Sequence, residues 1–97
     1  VDAVSTRPAK IAGLFPQKGT IAVGSDADIV IFDPEKEVTL STRQMHSNCD
    51  FSGYEGMKVQ GYPILTMSRG TVVYEDGKVL AERGHGKLVK RNPFQRF

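Results

Sequence analysis

Hydrolytic chemistry in a chain this short is sought first among its titratable side chains. The two histidines, His46 and His85, stand far apart and in neither an HxH nor an HExxH arrangement. A hydrolytic metal centre needs three or more convergent ligands and an open position for water. His46, Cys49 and Asp50 lie close together in the sequence, which leaves a metal site open as an alternative, but loop residues that hydrogen bond or pack are the favoured reading. His85, between Gly84 and Gly86, reads as a mobile, solvated side chain.

A Ser or Cys nucleophile needs a base and a group that orients it. Cys49 with His46 is the one pair near enough in sequence, and no G-x-S-x-G elbow accompanies it. Gly19-x-x-x-x-Gly24-Ser25-Asp26 copies the spacing of a phosphate-cradling loop but lacks its Lys and the hydroxyl that follows. Asp26/Asp28 and Glu35/Glu37 could supply paired carboxylates. As i, i+2 pairs beside a solvent-facing strand, they have no apolar enclosure to raise one pKa. The chain is therefore assigned no catalytic, cofactor-binding or metal-ligating residue.

The elements that would position such groups are short, because ten glycines and five prolines punctuate 97 residues. One helix is predicted at the start, capped by Ser5 or Thr6, with Pro8 in its first turn and Pro16 as its stop. Val4, Ile11, Leu14 and Phe15 form its apolar stripe, and a helix this short must dock on something. Thr20 to Val23 is short and partly apolar. Ile29-Val30-Ile31-Phe32 reads as a strand covered on both faces and ended by Pro34, with a weaker strand over 35–40. Residues 41–57 form an irregular connection that Phe51, Tyr54 and Met57 should pin to a neighbouring surface. Strands at 58–60, 64–68, 71–75 and 78–81 then follow, joined by turns at Arg69-Gly70 and Asp76-Gly77. The fold class is mainly β, with five or six short strands and one terminal helix.

Composition sets the frame. With 39% hydrophobic and 25% charged residues, the chain supports one modest core. No apolar run approaches the roughly 20 residues that cross a bilayer, so no membrane partner is expected. Cys49 cannot form an internal disulfide and belongs to no CxxC pair, which predicts a reducing, cytoplasmic compartment. The opening at Val1 rather than Met predicts a processed product or a piece of something larger. Charge is uneven. Residues 83–97 hold Arg83, Lys87, Lys90, Arg91 and Arg96 with no acid, whereas the first 82 carry eight bases and eleven acids. A basic tail could reach nucleic acid or an acidic protein surface. No aromatic interleaving or binding motif accompanies it, and a nucleic-acid partner is not expected.

Longer strings say more. Pro8-Ala9-Lys10-Ile11-x-Gly13-Leu14-x-Pro16-x-Lys18-Gly19, followed by Gly24-Ser25-Asp26-Ala27-Asp28-Ile29-Val30-x-x-Asp33-Pro34, resembles the C-terminal part of metal-dependent amidohydrolases. His46-Ser47, Asp50-Phe51, Tyr54-Glu55-Gly56, Ser68-Arg69-Gly70 and Gly84-x-Gly86-x-x-Val89-x-Arg91 resemble the dihydropyrimidinase/hydantoinase branch. Ser52 stands where that branch commonly has Asn, which implies altered local hydrogen bonding.

The resemblance implies a (β/α)8 barrel, absent from this chain, holding two metals, usually zinc, bridged by a carboxylated lysine. In such a site a metal-bound hydroxide attacks the cyclic amide carbon and opens dihydropyrimidines or hydantoins to N-carbamoyl amino acids. All those ligands would lie upstream of Val1, so none is carried onto this sequence and the segment would be inactive by itself. Residues 1–18 would be the barrel's terminal helix and linker. Residues 19–82 would form part of a small composite β-sandwich, with Asp26 and Asp28 serving a turn. Residues 83–97 would wrap across the molecule or onto a neighbouring subunit of a dimer or tetramer. Two other readings stay open: a segment of a non-catalytic relative, and an independent β-rich module whose tail binds an acidic protein or RNA.

Overall fold

The computed structural model describes residues 1–93, so Arg96 of the basic tail lies outside the described residues. The chain starts in helix: Asp2–Thr6 winds as a π-helix and runs directly into α1, Arg7–Ile11. The predicted cap is not made. Thr6 is itself helical (φ −67°, ψ −47°), so the amides after it find carbonyls upstream, and its Oγ1 instead donates to the Gly19 carbonyl at 2.7 Å. The helix ends where the glycine allows it. Gly13 takes φ +71°, its N–H donates to Lys10 O at 3.1 Å, and the Leu14 N–H donates to Ala9 O at 2.8 Å. This pair of bonds is the Schellman closure, which calls for a left-handed residue at that point.

Four strands follow in an antiparallel sheet of order β1-β2-β3-β4: Ile29–Thr39, Lys58–Ser68, Thr71–Glu75 and Lys78–Val79. The fold class is thus mainly β with one short helical segment. Thr20 to Val23 forms no strand, and Ile21 and Val23 stand 85% and 108% exposed. Pro34 does not end β1 either. The register passes from Asp33 opposite Tyr62 to Glu37 opposite Gln60, leaving Pro34, Glu35 and Lys36 bulged out where no ladder N–H is needed. Asp33 Oδ1 accepts the Glu35 N–H at 2.9 Å and shapes that bulge. Opposite it, Gly61 has φ +90°, and a Cβ there would lie 2.8 Å from Phe32 Cζ. The two predicted runs around Gly61-Tyr62-Pro63 are accordingly one bent strand.

Both predicted hairpins form. Arg69 and Gly70 take φ 47° and 79°, and Asp76 and Gly77 take 44° and 85°. Two successive positive angles mark the mirror-image turns whose twist matches paired strands. The last strand is only two residues long rather than four.

Burial is where this chain departs from a self-sufficient domain. Among the described residues, Ala9 is the one buried apolar side chain, under a return of the chain at Gly19. Val30, Ile31 and Phe32 are 58%, 48% and 57% exposed. Alternation points Val30 and Phe32 to one face of β1 and Ile31 to the other, so both faces are only partly covered. The radius of gyration, 15.8 Å, exceeds the roughly 13 Å of a compact domain of about 100 residues. Among the described residues no helix is long and apolar enough to cross a membrane.

Candidate functional site

The sequence candidates do not gather. Among the described residues no three His, Cys, Asp or Glu side chains converge as metal ligands. No donor set among the described residues therefore fits the two-metal group the resemblance implies. The His46 Nε2 lies 3.3 Å from the Gly77 carbonyl, within hydrogen-bond reach. The ring meets Tyr74 edge-on, with centroids 6.5 Å apart. Cys49 and Asp50 stay exposed in the loop, and no hydrogen bond joins Cys49 to His46 among the described residues. His46 lines an open cleft of about 410 Å³ with Lys36, Arg43, Tyr62 and Tyr74. The pairing of Lys36 with Asp76 there is loose, at 3.9 Å.

His85 departs from expectation. It is half-buried, its Nε2 is buried without a hydrogen-bond partner, and its carbonyl accepts from Arg69 Nη2. The flanking glycines do not leave it free in solvent, because a side chain from the β2–β3 turn reaches across to hold its backbone.

The most organised polar group is built on Asp26 and Asp28, at the entry to β1. Lys18 Nζ pairs with both carboxylates, at 2.9 Å to Asp26 Oδ2 and more closely to Asp28 Oδ2. Gln17 Nε2 donates to Asp26 at 3.0 Å. The Arg69 backbone N–H donates to Asp28 Oδ1 at 2.8 Å, and the Gly70 N–H to Ala27 O at 3.0 Å. The two aspartates therefore clamp three segments: the loop after the helix, the start of β1 and the β2–β3 turn. The hydrogen bond from Lys18 is the main cause holding each carboxyl below its ordinary range, with Gln17 helping at Asp26 and the Arg69 amide at Asp28. Paired acid–base carboxylates need one partner raised and protonated; here both are lowered. The site is a structural clamp.

Its pH behaviour follows. The two aspartates contribute fully above their ordinary value of 3.8, and that contribution is lost as pH falls through their lowered values. Lys18 is raised above 10.5, so its contribution is present below that pH and lost as pH rises through the raised value. Replacing Lys18 by Met is expected to cost about 1–2 kcal/mol at neutral pH after allowance for solvent screening. The cost should shrink on acidification to about pH 3, as protonation removes the repulsion left between the carboxylates. Urea melts of variant and parent across pH check this, and a pH-independent loss would contradict it.

A second clamp escapes the sequence reading. Glu55 accepts the Thr42 N–H at 2.7 Å and the Ser41 hydroxyl at 3.0 Å, and the Thr42 amide chiefly lowers its pKa. With Leu40 N–H on Met57 O and Gly56 N–H on Leu40 O, both at 2.8 Å, it closes the base of the 41–57 connection. The adjacent Ser41-Thr42 pair is the available signal, but nothing in the spacing sets it opposite Glu55. Among the described residues Phe51 and Tyr54 find little cover, at 79% and 62% exposed, and Met57 is half-exposed at 49%.

Comparison with known proteins places this geometry. A profile described as the amidohydrolase family matches residues 1–73. A D-hydantoinase of Ralstonia pickettii is 50% identical over 95 residues, covering 98% of this chain and 21% of the relative. A dihydropyrimidinase of Rattus norvegicus is 52% identical over 97 residues, covering all of this chain and 19% of the relative. Among solved structures, a D-hydantoinase (dihydropyrimidinase) from Thermus sp. superposes with a TM-score of 0.89 at 49% identity, over 96% of this chain and 20% of that one. An L-hydantoinase (dihydropyrimidinase) from Arthrobacter aurescens gives 0.82 at 50% identity, over 87% and 19%. The chain spans about a fifth of the length of the relatives it matches.

Proposed function

Because the chain belongs to the amidohydrolase family, we propose that it is a scaffold segment of a larger metal-dependent hydrolase that opens cyclic amides. Hydantoins or dihydropyrimidines would be its substrates and N-carbamoyl amino acids its products. The reactive groups and the metals would belong to the remainder of the polypeptide, and this segment would contribute structure.

The observation that carries the reading is the apolar start of β1. Val30, Ile31 and Phe32 are about half exposed on both faces, in a chain that matches only a fifth of its relatives' length. Such a strand needs cover that these residues do not supply. The rest of the enzyme is the cover proposed: further strands would complete a β-sandwich over the sheet, and a barrel would take the helix side, where Val4 and Ile11 are 83% and 55% exposed. Phe51, Tyr54 and Met57, presented by the Glu55-clasped loop, would fasten the sandwich beside the barrel. Assembly as a dimer or tetramer and residence in the cytoplasm complete the proposal.

The test is turnover by the full-length polypeptide. Hydrolysis of hydantoin or dihydrouracil is expected, abolished by a chelator and restored by zinc. Failure on both rings with a metal-loaded, folded polypeptide would point instead to a non-catalytic relative.

A further inference from the structure

We propose that the Arg69 side chain is the keeper of a latch holding segment 83–93 to the body, and that this is why arginine occupies a left-handed backbone position. At φ 47° glycine is the residue of least strain. The turn's long-range hydrogen bonds draw nothing from the guanidinium, since those to Asp28 and Ala27 leave from the main chain of Arg69 and Gly70, and its charge adds only a minor attraction to Asp26. What the side chain adds is a bond made elsewhere: Nη2 donates to the carbonyl of His85.

Little else anchors that segment. Among the described residues the other long-range hydrogen bond from 83–93 is the Asn92 N–H on Gly13 O, at 2.8 Å, beside a local turn bond from the His85 N–H to Glu82 O at 3.2 Å. Most of the segment is exposed, Leu88 to 97%. The two anchors support each other. With His85 held, the Asn92 bond closes a short loop; with His85 released, the free chain begins back at the end of β4 and closure costs more entropy. Arg69 is thus a positioning residue. Its amide is set by Asp28, itself paired with Lys18, so the latch is tied to the clamp at the entry to β1.

The competing explanation, that Arg69 is merely a tolerated turn residue, predicts the opposite sign for one substitution. Arg69→Gly relieves the backbone and deletes the guanidinium. A turn-only role makes it neutral or stabilising, whereas the latch makes it release the tail. Asp76→Gly is the matched control, because Asp76 has φ 44° before Gly77 and its ionic contact is the loose one to Lys36.

The readout is hydrogen–deuterium exchange on the full-length polypeptide, taken as the ratio of exchange in residues 84–93 to exchange in 62–68, so that global destabilisation cancels. Arg69→Gly is expected to raise this ratio about tenfold, the weight of a partly exposed charge-assisted hydrogen bond. Asp76→Gly should leave it unchanged, and Arg69→Lys, which keeps one donor, should fall between Arg69→Gly and the parent. A rise below about threefold in Arg69→Gly, or an equal rise in Asp76→Gly, overturns the latch.

Discussion

Gly13→Ala is expected to lower stability by about 2–3 kcal/mol and to free the C-terminal segment. Two costs combine. The residue sits at φ +71°, where a side chain costs about 1–2 kcal/mol. The new Cβ would also fall 1.9 Å from Asn92 O and 2.9 Å from Asn92 C. These are backbone atoms that no rotamer can move, so the segment must shift and the Asn92 bond to Gly13 is lost, for about 1 kcal/mol more. Gly24→Ala separates the terms, because Gly24 has φ +91° with nothing within 4 Å of a Cβ. It carries the conformational cost alone. Urea unfolding of the full-length polypeptide, with exchange at 84–93, should rank Gly13→Ala well below Gly24→Ala; equal losses would mean that the tail does not rest on Gly13 in solution.

Ile31→Arg should behave oppositely in the segment and in the full-length polypeptide. In the 97-residue chain Ile31 is 48% exposed, so the substitution is a surface change worth no more than about 0.5 kcal/mol. It should also reduce self-association through the open sheet face. In the full-length polypeptide that face is proposed to be covered, and an unpaired buried guanidinium costs about 3 kcal/mol or more. Sedimentation of the short chain and thermal melting of the long one measure the two arms. If the full-length polypeptide accepts Ile31→Arg without a fall in Tm, the face is open there too and the scaffold reading loses its main support.

How far the residues announce this structure depends on the range of the interaction. Asp76-Gly77 and Arg69-Gly70 announce their hairpins, because the angles a two-residue turn demands are a local property of those types. The four-residue run Ile29 to Phe32 announces a strand for the same reason. Pro34 misleads: it reads as a terminator, yet it sits in a bulge that only the partner strand, through Gly61 and Tyr62, makes possible. Thr6 misleads likewise, since a helix already begun at Asp2 has no use for its cap and the hydroxyl turns to Gly19. The clamps are harder still. Asp26 and Asp28 are legible as turn residues, but Lys18 as their shared partner, Arg69 as the link to His85 and Glu55 as the clasp of a long loop all join positions distant in sequence. No spacing rule connects them. The half-open faces of β1 are legible in outline, because the four apolar residues Ile29 to Phe32 in a chain this short ask for more cover than their neighbours can give.

The most direct test of the central claim, that this segment is scaffold and its reactive centre lies elsewhere, is hydrolysis by the 97-residue chain itself. The purified chain, stripped with chelator and then supplied with zinc, is assayed on hydantoin and dihydrouracil beside the full-length polypeptide. Turnover is expected from the longer polypeptide and none from the segment. Turnover by the segment that survives removal of contaminants and disappears when His46 is replaced by Ala would contradict it.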